Sequence, residues 1–422
     1  MLNRFEKHTD VLVLGSGPAG FAAAYTAAKN GAEVILVEQS GDVGGISTSG
    51  LMSHWTGSCT SPLYYEILRR TAEKNEGEYK NRITNLIDPE KLKTLYLEMR
   101  CEVGCKVMLY TFAEDAICEG DKVLGATVIN KSGKTDIYAK ITVDATGDGD
   151  IAARAGAEFV LGRESDNKMQ PATLMFKVGG VDYDRAVFLG SFESTYETPR
   201  GELQALAKAH IPYPAGHLLT YESTLPGVVT CNMTNAIDID GTNADDLMAA
   251  TLTCRRQMDD IVKYLREFVP GYENCYIISS ASLIGIRETR HFKGKYTLNE
   301  QDILEAKVFD DYVVKDAYFN FDVHNITGAG LDKTGVQKHF SQKKGYTIPY
   351  RCLLPEIKEN LLLCGRNISG THMAHSNFRV MPICIGIGEA AGAAACIAVT
   401  QNRNLNEINA KEIREIIGID VC

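Results

Sequence analysis

Residues 10–20 read DVLVLGSGPAG, in which an apolar run leads into three glycines, Gly15, Gly17 and Gly20. An unbroken apolar run such as residues 11–14 is typical of a parallel strand that is buried on both faces. In this spacing the first glycine permits a tight turn, the second allows close approach of a pyrophosphate, and the third allows a helix to pack closely. The stretch predicts a central strand, a turn and a helix.

The residues after this turn complete a strand–helix–strand unit. FAAAYTAAKNG (21–31) predicts a helix that ends at Gly31 and whose N-terminus favours phosphate. EVILVEQ (33–39) predicts a strand that ends at Glu38, where a carboxylate accepts hydrogen bonds from a ribose. A lone glycine motif also occurs in turns without a ligand, but the whole unit favours a bound dinucleotide. We place these residues in its site: Gly15, Ser16, Gly17, Pro18, Ala19, Gly20, Glu38 and Gln39.

Composition limits the class of protein. The chain has 422 residues, 45% hydrophobic and 23% charged, enough for a large core shared between two lobes. A net charge of −10 argues against nucleic acid, which needs a concentrated basic face, so we expect a small-molecule substrate. The twelve cysteines are scattered without a CxxC pair or a metal-like cluster, which favours reduced thiols and no metal.

Location and assembly follow from weaker signals. MLNRFEKHTD lacks the apolar run of a signal peptide, and we find no stretch of membrane-spanning length. We therefore expect a cytoplasmic protein with no membrane span. The oligomeric state stays open, a homo-oligomer included.

Three later segments carry further glycines that a NAD-binding sheet does not need. GDVGGISTSGL (41–51) contains a glycine doublet, KITVDATGDGD (140–150) is a strand that runs into Ala145-Thr146-Gly147, and NLLLCGRNISG (360–370) is another that runs into Gly365-Arg366. With the first motif, these segments resemble the FAD-dependent oxidoreductase family of the glutathione-reductase-type flavoprotein superfamily. The segments GIRETRHFKGKYTL (285–298), FRVMP (378–382) and GEAAGAAA (388–395) extend the resemblance along nearly the whole chain.

The resemblance implies FAD as cofactor and an α/β fold. It implies a doubly wound parallel-sheet FAD-binding domain, discontinuous over residues 1–160 and 340–422, and a second, α+β substrate or cap domain over 161–339. A β-meander inserted in the first domain agrees with the alternating segments of residues 106–145. The further cofactor-binding residues implied are Gly44, Gly45, Ile46, Ser47, Ser49, Gly50, Leu51, Ala113, Ala145, Thr146, Gly147, Gly365, Arg366, Val380 and Met381.

Several helix boundaries can be predicted from capping residues. Asp88 and Pro89 predict the start of a helix that closes at Gly104, and Thr297 with Glu300 fits a capping box. Pro382 lies at or near the start of a long small-residue helix, whose N-terminus we expect at the flavin pyrimidine edge, where it stabilises negative charge.

Charged residues of the middle section are candidates for catalysis. Arg287 and Glu288 follow IISSASLIGI (277–286), a strand that looks buried and would carry Arg287 inwards, with Glu288 or a substrate as its partner. A solvated, salt-bridged face is the alternative. We expect Arg287 and Arg379 to meet at the flavin, and His324, two residues after Asp322, to be the base.

Other histidines remain in reserve as the base. His54 lies just after the glycine doublet, and His372 and His375 follow the late Gly-Arg strand. A lone histidine is more often structural than catalytic. The catalytic set is therefore His324, Arg287, Glu288, Arg379 and His54.

We interpret the chain as an FAD-dependent dehydrogenase or oxidase that transfers a hydride between a small organic substrate and flavin N5. The sequence has no second strand–glycine–helix unit, which disfavours a built-in NAD(P)H domain. It has no redox CxxxxC motif, which disfavours a disulfide-reductase mechanism. The electron acceptor or donor is therefore unknown. The alternatives are a fumarate-reductase-like enoate reductase and a non-catalytic flavin-binding protein.

Overall fold

The computed structural model describes residues 3–331 and 342–420. The helices among these residues are α1 (Pro18–Lys29), α2 (Pro62–Lys74), α3 (Pro89–Glu102), α4 (Asp150–Arg154), α5 (Leu203–His210), α6 (Ala244–Phe268), α7 (Glu300–Leu304), α8 (His372–Phe378), α9 (Met381–Gln401) and α10 (Ala410–Ile417).

The strands are β1 (Arg4–Leu14), β2 (Val34–Val37), β3 (Ser58–Thr60), β4 (Lys106–Met108), β5 (Phe112–Glu119), β6 (Lys122–Asn130), β7 (Gly133–Asp144), β8 (Phe159–Leu161), β9 (Phe176–Gly179), β10 (Glu197–Thr198), β11 (Gly201–Glu202), β12 (Thr220–Glu222), β13 (Val229–Cys231), β14 (Tyr276–Ser280), β15 (Arg290–Phe292), β16 (Tyr312–Tyr318), β17 (Tyr346–Pro349) and β18 (Leu361–Leu363).

The largest sheet has the strand order β4-β2-β1-β7-β6-β5, and β18 also pairs with β7. The pairs β2–β4, β1–β2, β1–β7 and β7–β18 are parallel. Val11 of β1 lies opposite Val34 on one side and Ile141 on the other, so β1 is an interior strand. This confirms an α/β fold with a parallel sheet around the first strand.

The apolar run of β1 is buried on both faces because successive side chains point to opposite sides of a sheet. Val11 and Val13 belong to the hydrophobic cluster that contains α1 and α9. Leu12 and Leu14 pack on the other face, in a cluster with Ile151 of α4 and residues of β6 and β7. The carboxyl edge of this sheet is therefore held rigidly from both sides.

Strands β5, β6 and β7 form the antiparallel meander that the sequence predicts. Its predicted start at residue 106 is wrong, because Lys106–Met108 forms β4 at the opposite edge of the sheet. The chain leaves β4 through Tyr110, which has a φ of +52°. Since β7 is also the parallel partner of β1, the meander continues the main sheet.

A second sheet of order β12-β13-β9-β14 packs with α5 and α6 around its own hydrophobic cluster. Apart from Leu51, the buried members of this cluster lie between residues 174 and 281. Phe292, Val314 and Phe321 belong to the cluster of the main sheet instead. The packing thus favours a smaller second unit than residues 161–339. The boundary at 160 stays a prediction, and the one at 340 lies outside the described residues.

Helix α9 corrects the expectation that no stretch of the chain has the length and composition of a membrane span. Among the described residues, this 21-residue helix alone is long and apolar enough to cross a membrane by length and composition. However, 89% of its most apolar window is buried inside the protein. Its composition is therefore explained by its packing against α1, the main sheet, β3 and β16.

Candidate active site

A cavity of about 420 Å³ lies at the carboxyl edge of the main sheet, where β1, β2, β7 and β18 end. Open α/β sheets bind ligands at this edge. Its opposite wall comes from the second unit and the segments that follow it. The lining includes Gly15–Ala19, Val37–Ser40, Gly45, Ile46, Met52, 111–113, 145–148, Asp150, Thr173, Met175, Asn232, Gly241, Leu247, 283–287, Asp322, His324, 364–366, Arg379, Met381 and Cys384.

The three glycines of the first turn have the separate roles that the motif predicts. Gly15 has a φ of +90°, and a Cβ there would lie 2.4 Å from the Ala145 carbonyl oxygen. A Cβ on Gly20 would lie 1.9 Å from the Gly15 oxygen, so Gly20 serves packing and does not border the cavity. Gly17 has nothing within 4 Å of that position and borders the cavity. This open cradle at the start of α1 fits a pyrophosphate.

Glu38 is fixed at the end of β2, with a side chain directed at the glycine turn. Its Oε2 accepts hydrogen bonds from Ser16 N and Ser16 Oγ at 2.9 and 2.7 Å, and its Oε1 accepts one from Ser40 N at 2.7 Å. Two carboxylate oxygens have about four acceptor positions, so one remains for a ribose hydroxyl. The site fits the adenosine half of FAD.

The glycine doublet forms a second wall of this cradle. Gly44 N donates to Ser16 O at 2.8 Å, and Gly44 and Gly45 have φ angles of +113° and +52°. Gly45 and Ile46 border the cavity. The loop residues that do not border it serve the loop itself or its packing, as Ser47 does by donating to Gly44 O at 2.7 Å. The predicted cofactor-binding residues of this loop that do not border the cavity are Gly44, Ser47, Ser49, Gly50 and Leu51.

The two late motifs reach the cavity from neighbouring strands. Ala145, Thr146 and Gly147 follow β7, and Gly365 and Arg366 follow β18. Arg366 Nη1 donates to Asp148 Oδ1 at 2.7 Å, so its charge is paired. Asp148 follows the predicted ATG stretch directly, and a search for acids beside that motif could have found it.

The N-terminus of α9 points at the same cavity. Met381 is the first residue of this helix and borders the cavity, whereas Val380 is its N-cap and does not. Ala113 of β5 borders it as predicted. The N-termini of α1 and α9 thus offer free N–H groups to one ligand from two directions.

Arg287, Arg379 and His324 are brought together on the wall opposite the glycine turn. Arg379 Nη2 donates to both Asp322 O and Asp322 Oδ2 at 2.9 Å, and His324 Nε2 is 3.2 Å from the same Oδ2. Arg287 Nη1 donates to Pro171 O at 2.5 Å and to Thr173 Oγ1 at 2.9 Å. The expected convergence of the two arginines is therefore present in the geometry.

The charge states of this wall follow from burial and from its neighbours. Burial and the charge of Arg287 lower the pKa of His324 to about 4, against the opposing pull of Asp322. Burial would raise the pKa of Asp322, but His324 and the two arginines lower it below its usual range. At neutral pH the wall holds a neutral imidazole beside an ionised carboxylate.

The prediction that a buried strand over residues 277–286 carries Arg287 inwards is wrong. Strand β14 ends at Ser280 and is exposed, with Ile277 and Ile278 at 38% and 45% exposure. It is an edge strand of the second sheet, and successive side chains along it are exposed on both faces. Arg287 reaches the cavity from the irregular segment after it, where Gly285 pairs with Thr173.

Glu288 does not pair with Arg287 and does not border the cavity. Its fully buried carboxylate accepts from His291 Nε2 at 2.7 Å and His372 Nδ1 at 2.5 Å through Oε1, and from Gln170 N at 3.0 Å through Oε2. Burial would raise the pKa of Glu288, but the two imidazoles lower it below its usual range. A role in direct catalysis is therefore not supported for Glu288.

The same three side chains offer possible metal ligands. One ligand atom each of Glu288, His291 and His372 lies within 4.8 Å of the others, a group that the search for clustered cysteines missed. The O–N distances of 2.5 and 2.7 Å are hydrogen-bond lengths. Two ligands on a zinc ion, each at about 2.0–2.1 Å, would have to stand about 3 Å apart. The observed geometry fits ring N–H groups that donate to the carboxylate.

His54 lies away from the cavity lining. Its Nδ1 is 2.8 Å from Ser53 Oγ, and its ring packs 4.6 Å from the ring of Tyr221. Burial lowers its pKa, so it is neutral at pH 7. Its place next to the glycine doublet in sequence does not bring its side chain to the site.

Sequence reasoning missed the part of the wall that comes from the second unit. Asn232, Thr173 and Leu247 border the cavity without belonging to any motif. Their segments read as ordinary strands and helix, and only the fold brings them to the sheet edge. No local signal could have identified them.

Comparisons with known proteins agree with this site. The profile of the family described as FAD dependent oxidoreductase matches residues 10–417. Digeranylgeranylglycerophospholipid reductase 2 of Methanosphaera stadtmanae is 30% identical over 208 residues, which are 43% of this chain and 51% of that protein. Thiamine thiazole synthase of Aeropyrum pernix is 31% identical over 170 residues, which are 36% of this chain and 60% of that protein. The chain spans about half the length of the curated relatives it matches.

A solved structure supports the fold over the whole chain. The geranylgeranyl bacteriochlorophyll reductase-like protein of Thermoplasma acidophilum aligns with a TM-score of 0.51 and 15% identity, over 97% of this chain and 82% of that one. At this identity the likeness concerns the fold alone. Because the family profile spans nearly all of the chain and the cavity offers a pyrophosphate cradle with Glu38 beside it, the chain belongs to the FAD-dependent oxidoreductase family, as an enzyme whose cofactor is FAD.

Proposed function

We propose that the enzyme oxidises a small organic substrate, with His324 as the base that removes the proton. The observation that carries this proposal is a neutral imidazole on the cavity wall, held by a half-buried carboxylate. Bound FAD supplies the hydride acceptor, N5 of the isoalloxazine. The chain's own residues then have to bind the substrate, orient it and take its proton.

The Asp322 contact prepares His324 for that task. An ionised carboxylate accepts only, so the ring nitrogen that it contacts, Nε2, carries the proton. Nδ1 is then the nitrogen with a free lone pair. A base whose pKa is about 4 is unprotonated throughout the neutral range.

The proposal is tested by an anaerobic screen of alcohols, hydroxy acids, amines, sugars and cyclitols for bleaching of the flavin absorbance. With a substrate identified, His324→Ala should retain bound, photoreducible FAD but slow flavin reduction about 10²-fold or more. His54→Ala is the matched control, because that ring lies off the cavity. Equal slowing in both variants, or none in His324→Ala, would contradict the assigned role.

The pH profile provides a second readout. Because burial and Arg287 lower the pKa of His324, kcat/KM should rise with pH through about 4 and stay level above it. His324→Ala should lose this acid limb. A limb near pH 6.5, the ordinary value for histidine, would show that another group limits the rate.

A second candidate is the reductive direction, in which a carbon–carbon double bond of the substrate would gain a proton and a hydride, the hydride being what bound, reduced FAD would supply. It is favoured by the partial match to a digeranylgeranylglycerophospholipid reductase and by the apolar side chains Leu247, Leu283 and Ile284 in the cavity. Photoreduced protein mixed anaerobically with enoates or isoprenoid alkenes distinguishes it. Rapid flavin reoxidation would support this direction, and bleaching by an alcohol or amine would support the first.

A further inference from the structure

Arg287 differs from the other arginines of the cavity in its partners. Arg366 pairs with Asp148 at 2.7 Å, and Arg379 pairs with Asp322 at 2.9 Å. Arg287 donates only to a carbonyl and a hydroxyl oxygen, both neutral. Within residues 3–331 and 342–420, no carboxylate forms a salt bridge with it. Arg287 is thus a half-buried guanidinium of the cavity that lacks a direct carboxylate partner in the described part of the chain.

Such a group is costly without an anion. Transferring an isolated charge out of water carries a large penalty unless a counter-charge or a full set of hydrogen bonds replaces the water. Burial and the nearby charge of Arg379 lower the pKa of Arg287 to about 10, so it still carries its proton at pH 7. Asp322 attracts Arg287 as well, but that carboxylate already serves Arg379 and His324.

The wall also has hydrogen-bond donors to spare. A guanidinium has five N–H groups, and Arg287 uses Nη1 alone for its two recorded bonds. Arg379 uses Nη2, and its Nε is buried with no partner among the described residues. Two cationic forks with unused N–H groups in one cavity match the oxygens of a carboxylate.

We propose that the substrate carries a carboxylate, which binds to Arg287 with Arg379 beside it, next to His324. This inference rests on the proposed function and names the substrate class of the same site. The carboxylate compensates Arg287 and holds the reacting carbon near the imidazole. Hydroxy acids in the screen above, and amino acids added to it, are then the compounds that bleach the flavin.

The first test measures binding without turnover. FAD-loaded, oxidised protein is titrated with acetate, succinate and benzoate and with the corresponding amides, while the visible flavin absorbance is followed. The carboxylates should give saturable spectral changes, with affinities at least tenfold above those of the neutral amides. Equal affinities for acids and amides, or no saturation by any acid, would overturn the proposal.

Variants then assign the site. Arg287→Gln should weaken carboxylate binding at least tenfold, as expected for a lost charge-assisted hydrogen bond, and Arg287→Lys should weaken it less. Arg185→Gln, an exposed arginine paired with Glu273, is the matched control and should bind as the wild type does. If Arg287→Gln does not fold, the comparison of acids with amides on the wild type still decides the question.

A separate arm tests whether Arg287 instead serves the charge of the reduced flavin. In that case Arg287→Gln would lower the flavin midpoint potential and leave the affinity for carboxylates unchanged, which would overturn the proposal. If carboxylates bind tightly but no compound in the screen bleaches the flavin, the proposed oxidation is contradicted and the carboxylate site is not. Bleaching by neutral substrates alone, without carboxylate binding, would overturn only the present inference.

Discussion

At the level of single residues, the buried carboxylate of Glu288 fixes two histidine rings behind the cavity wall. Its Gln170 contact connects it to the site, because Gln170 Oε1 accepts from the backbone N–H of His324 at 3.2 Å. Glu288 therefore supports the position of His324 without touching the cavity. Its removal should be seen first in stability.

We expect Glu288→Gln to lower the free energy of unfolding by about 3 kcal/mol, the cost of breaking a buried charged network. The pKa of Glu288 is lower in the folded state than its ordinary 4.5, so its stabilisation is complete above about pH 4.5 and is lost as pH falls through the folded value. Denaturant unfolding at pH 7 measures the first effect, and a series at pH values below 4.5 measures the second. Glu158→Gln, whose side chain is 54% exposed and paired with Lys293, is the control and should change little. An equally stable Glu288→Gln would contradict the role.

Residue roles were predictable where a motif fixes the backbone. Gly15, Gly17 and Glu38 follow from the spacing of one strand, one turn and one helix. The direction of a side chain outside such a motif does not follow from sequence, because it depends on which neighbour packs against it. Arg287 reaches the cavity while Glu288, the next residue, points into a histidine cluster, and His54 packs on Tyr221.

At the level of elements, α1 and α9 pack with their backbones almost in contact. A Cβ on Gly388 would lie 2.2 Å from Ala19 O, and one on Gly392 would lie 2.3 Å from Ala23 O. No side chain fits at either position without separating the helices. Both helix N-termini border the cavity, so their separation matters to the cofactor.

Gly388→Ala and Gly392→Ala should each destabilise the protein by about 1–3 kcal/mol through overpacking. Gly388→Ala should also weaken FAD binding more, because its contact Ala19 borders the cavity and Ala23 does not. Thermal unfolding and fluorescence titration with FAD measure the two effects. Gly386→Ala is the control, since its nearest atom is a side-chain sulfur 3.1 Å away. Equal FAD affinity in all three variants would contradict the argument.

Helix α9 also carries a buried acid, Glu389, that contacts the start of α2. Ser61 Oγ donates to its Oε2 at 2.5 Å and Leu63 N donates to its Oε1 at 3.0 Å. Burial raises the pKa of Glu389 to about 7, above the ordinary 4.5. Protonated Glu389 therefore stabilises the folded protein. This contribution to the free energy of unfolding is complete below about pH 4.5 and is lost as pH rises through about 7.

Glu389→Gln keeps the shape and removes the charge. At pH 8 the free energy of unfolding of the variant should exceed that of the wild type by about 2–3 kcal/mol. This difference should vanish near pH 4.5. Urea unfolding at both pH values measures it. Glu73→Gln near the end of α2, whose side chain is 55% exposed and paired with Arg69, tests for a general charge effect. A variant less stable than the wild type at pH 8 would show that the ionised carboxylate is favoured at this helix start.

Elements were predicted best where a cap and a periodic run agree. Asp88 caps α3 as expected, accepting from Glu90 N and Lys91 N. The capping box at Thr297 and Glu300 is wrong by two residues: Asn299 and Asp302 form it instead, while Thr297 Oγ1 contacts Ser369 Oγ. The tertiary contact decides between two plausible caps, and it comes from a part of the chain that no local pattern identifies.

At the level of the whole molecule, one cavity borders the cores of both units, since its lining includes Ala19 and Cys364 from the cluster beside the main sheet and Met175 from the cluster of the second unit. A ligand there contacts both units at once. The sequence predicted two lobes from length and motif order, but it could not predict that residues 292–321 pack with the first lobe. That assignment depends on β16 pairing with β3, a contact between residues more than 250 positions apart.

FAD should therefore stabilise the whole protein and not one lobe. Thermal unfolding of FAD-stripped and FAD-saturated protein should differ by about 3–4 kcal/mol at a cofactor concentration of 100 to 1,000 times Kd. Intrinsic fluorescence of Trp55, in the cluster beside α1, and circular dichroism should report one common transition in the loaded form. Identical midpoints with and without FAD would contradict the bridging position.

The position of β18 and α9 has a consequence for biosynthesis. Residues 364–366 and Met381 line the cavity directly beside residues 15–19, so segments that are more than 340 positions apart in the chain build one side of it. A nascent chain that has emerged only as far as the second unit presents β7 without its partner β18 and α1 without the helix that packs on it. FAD can therefore be fully enclosed only after residues 361–401 have emerged from the ribosome, so flavin binding reports that β18 and α9 have folded into place.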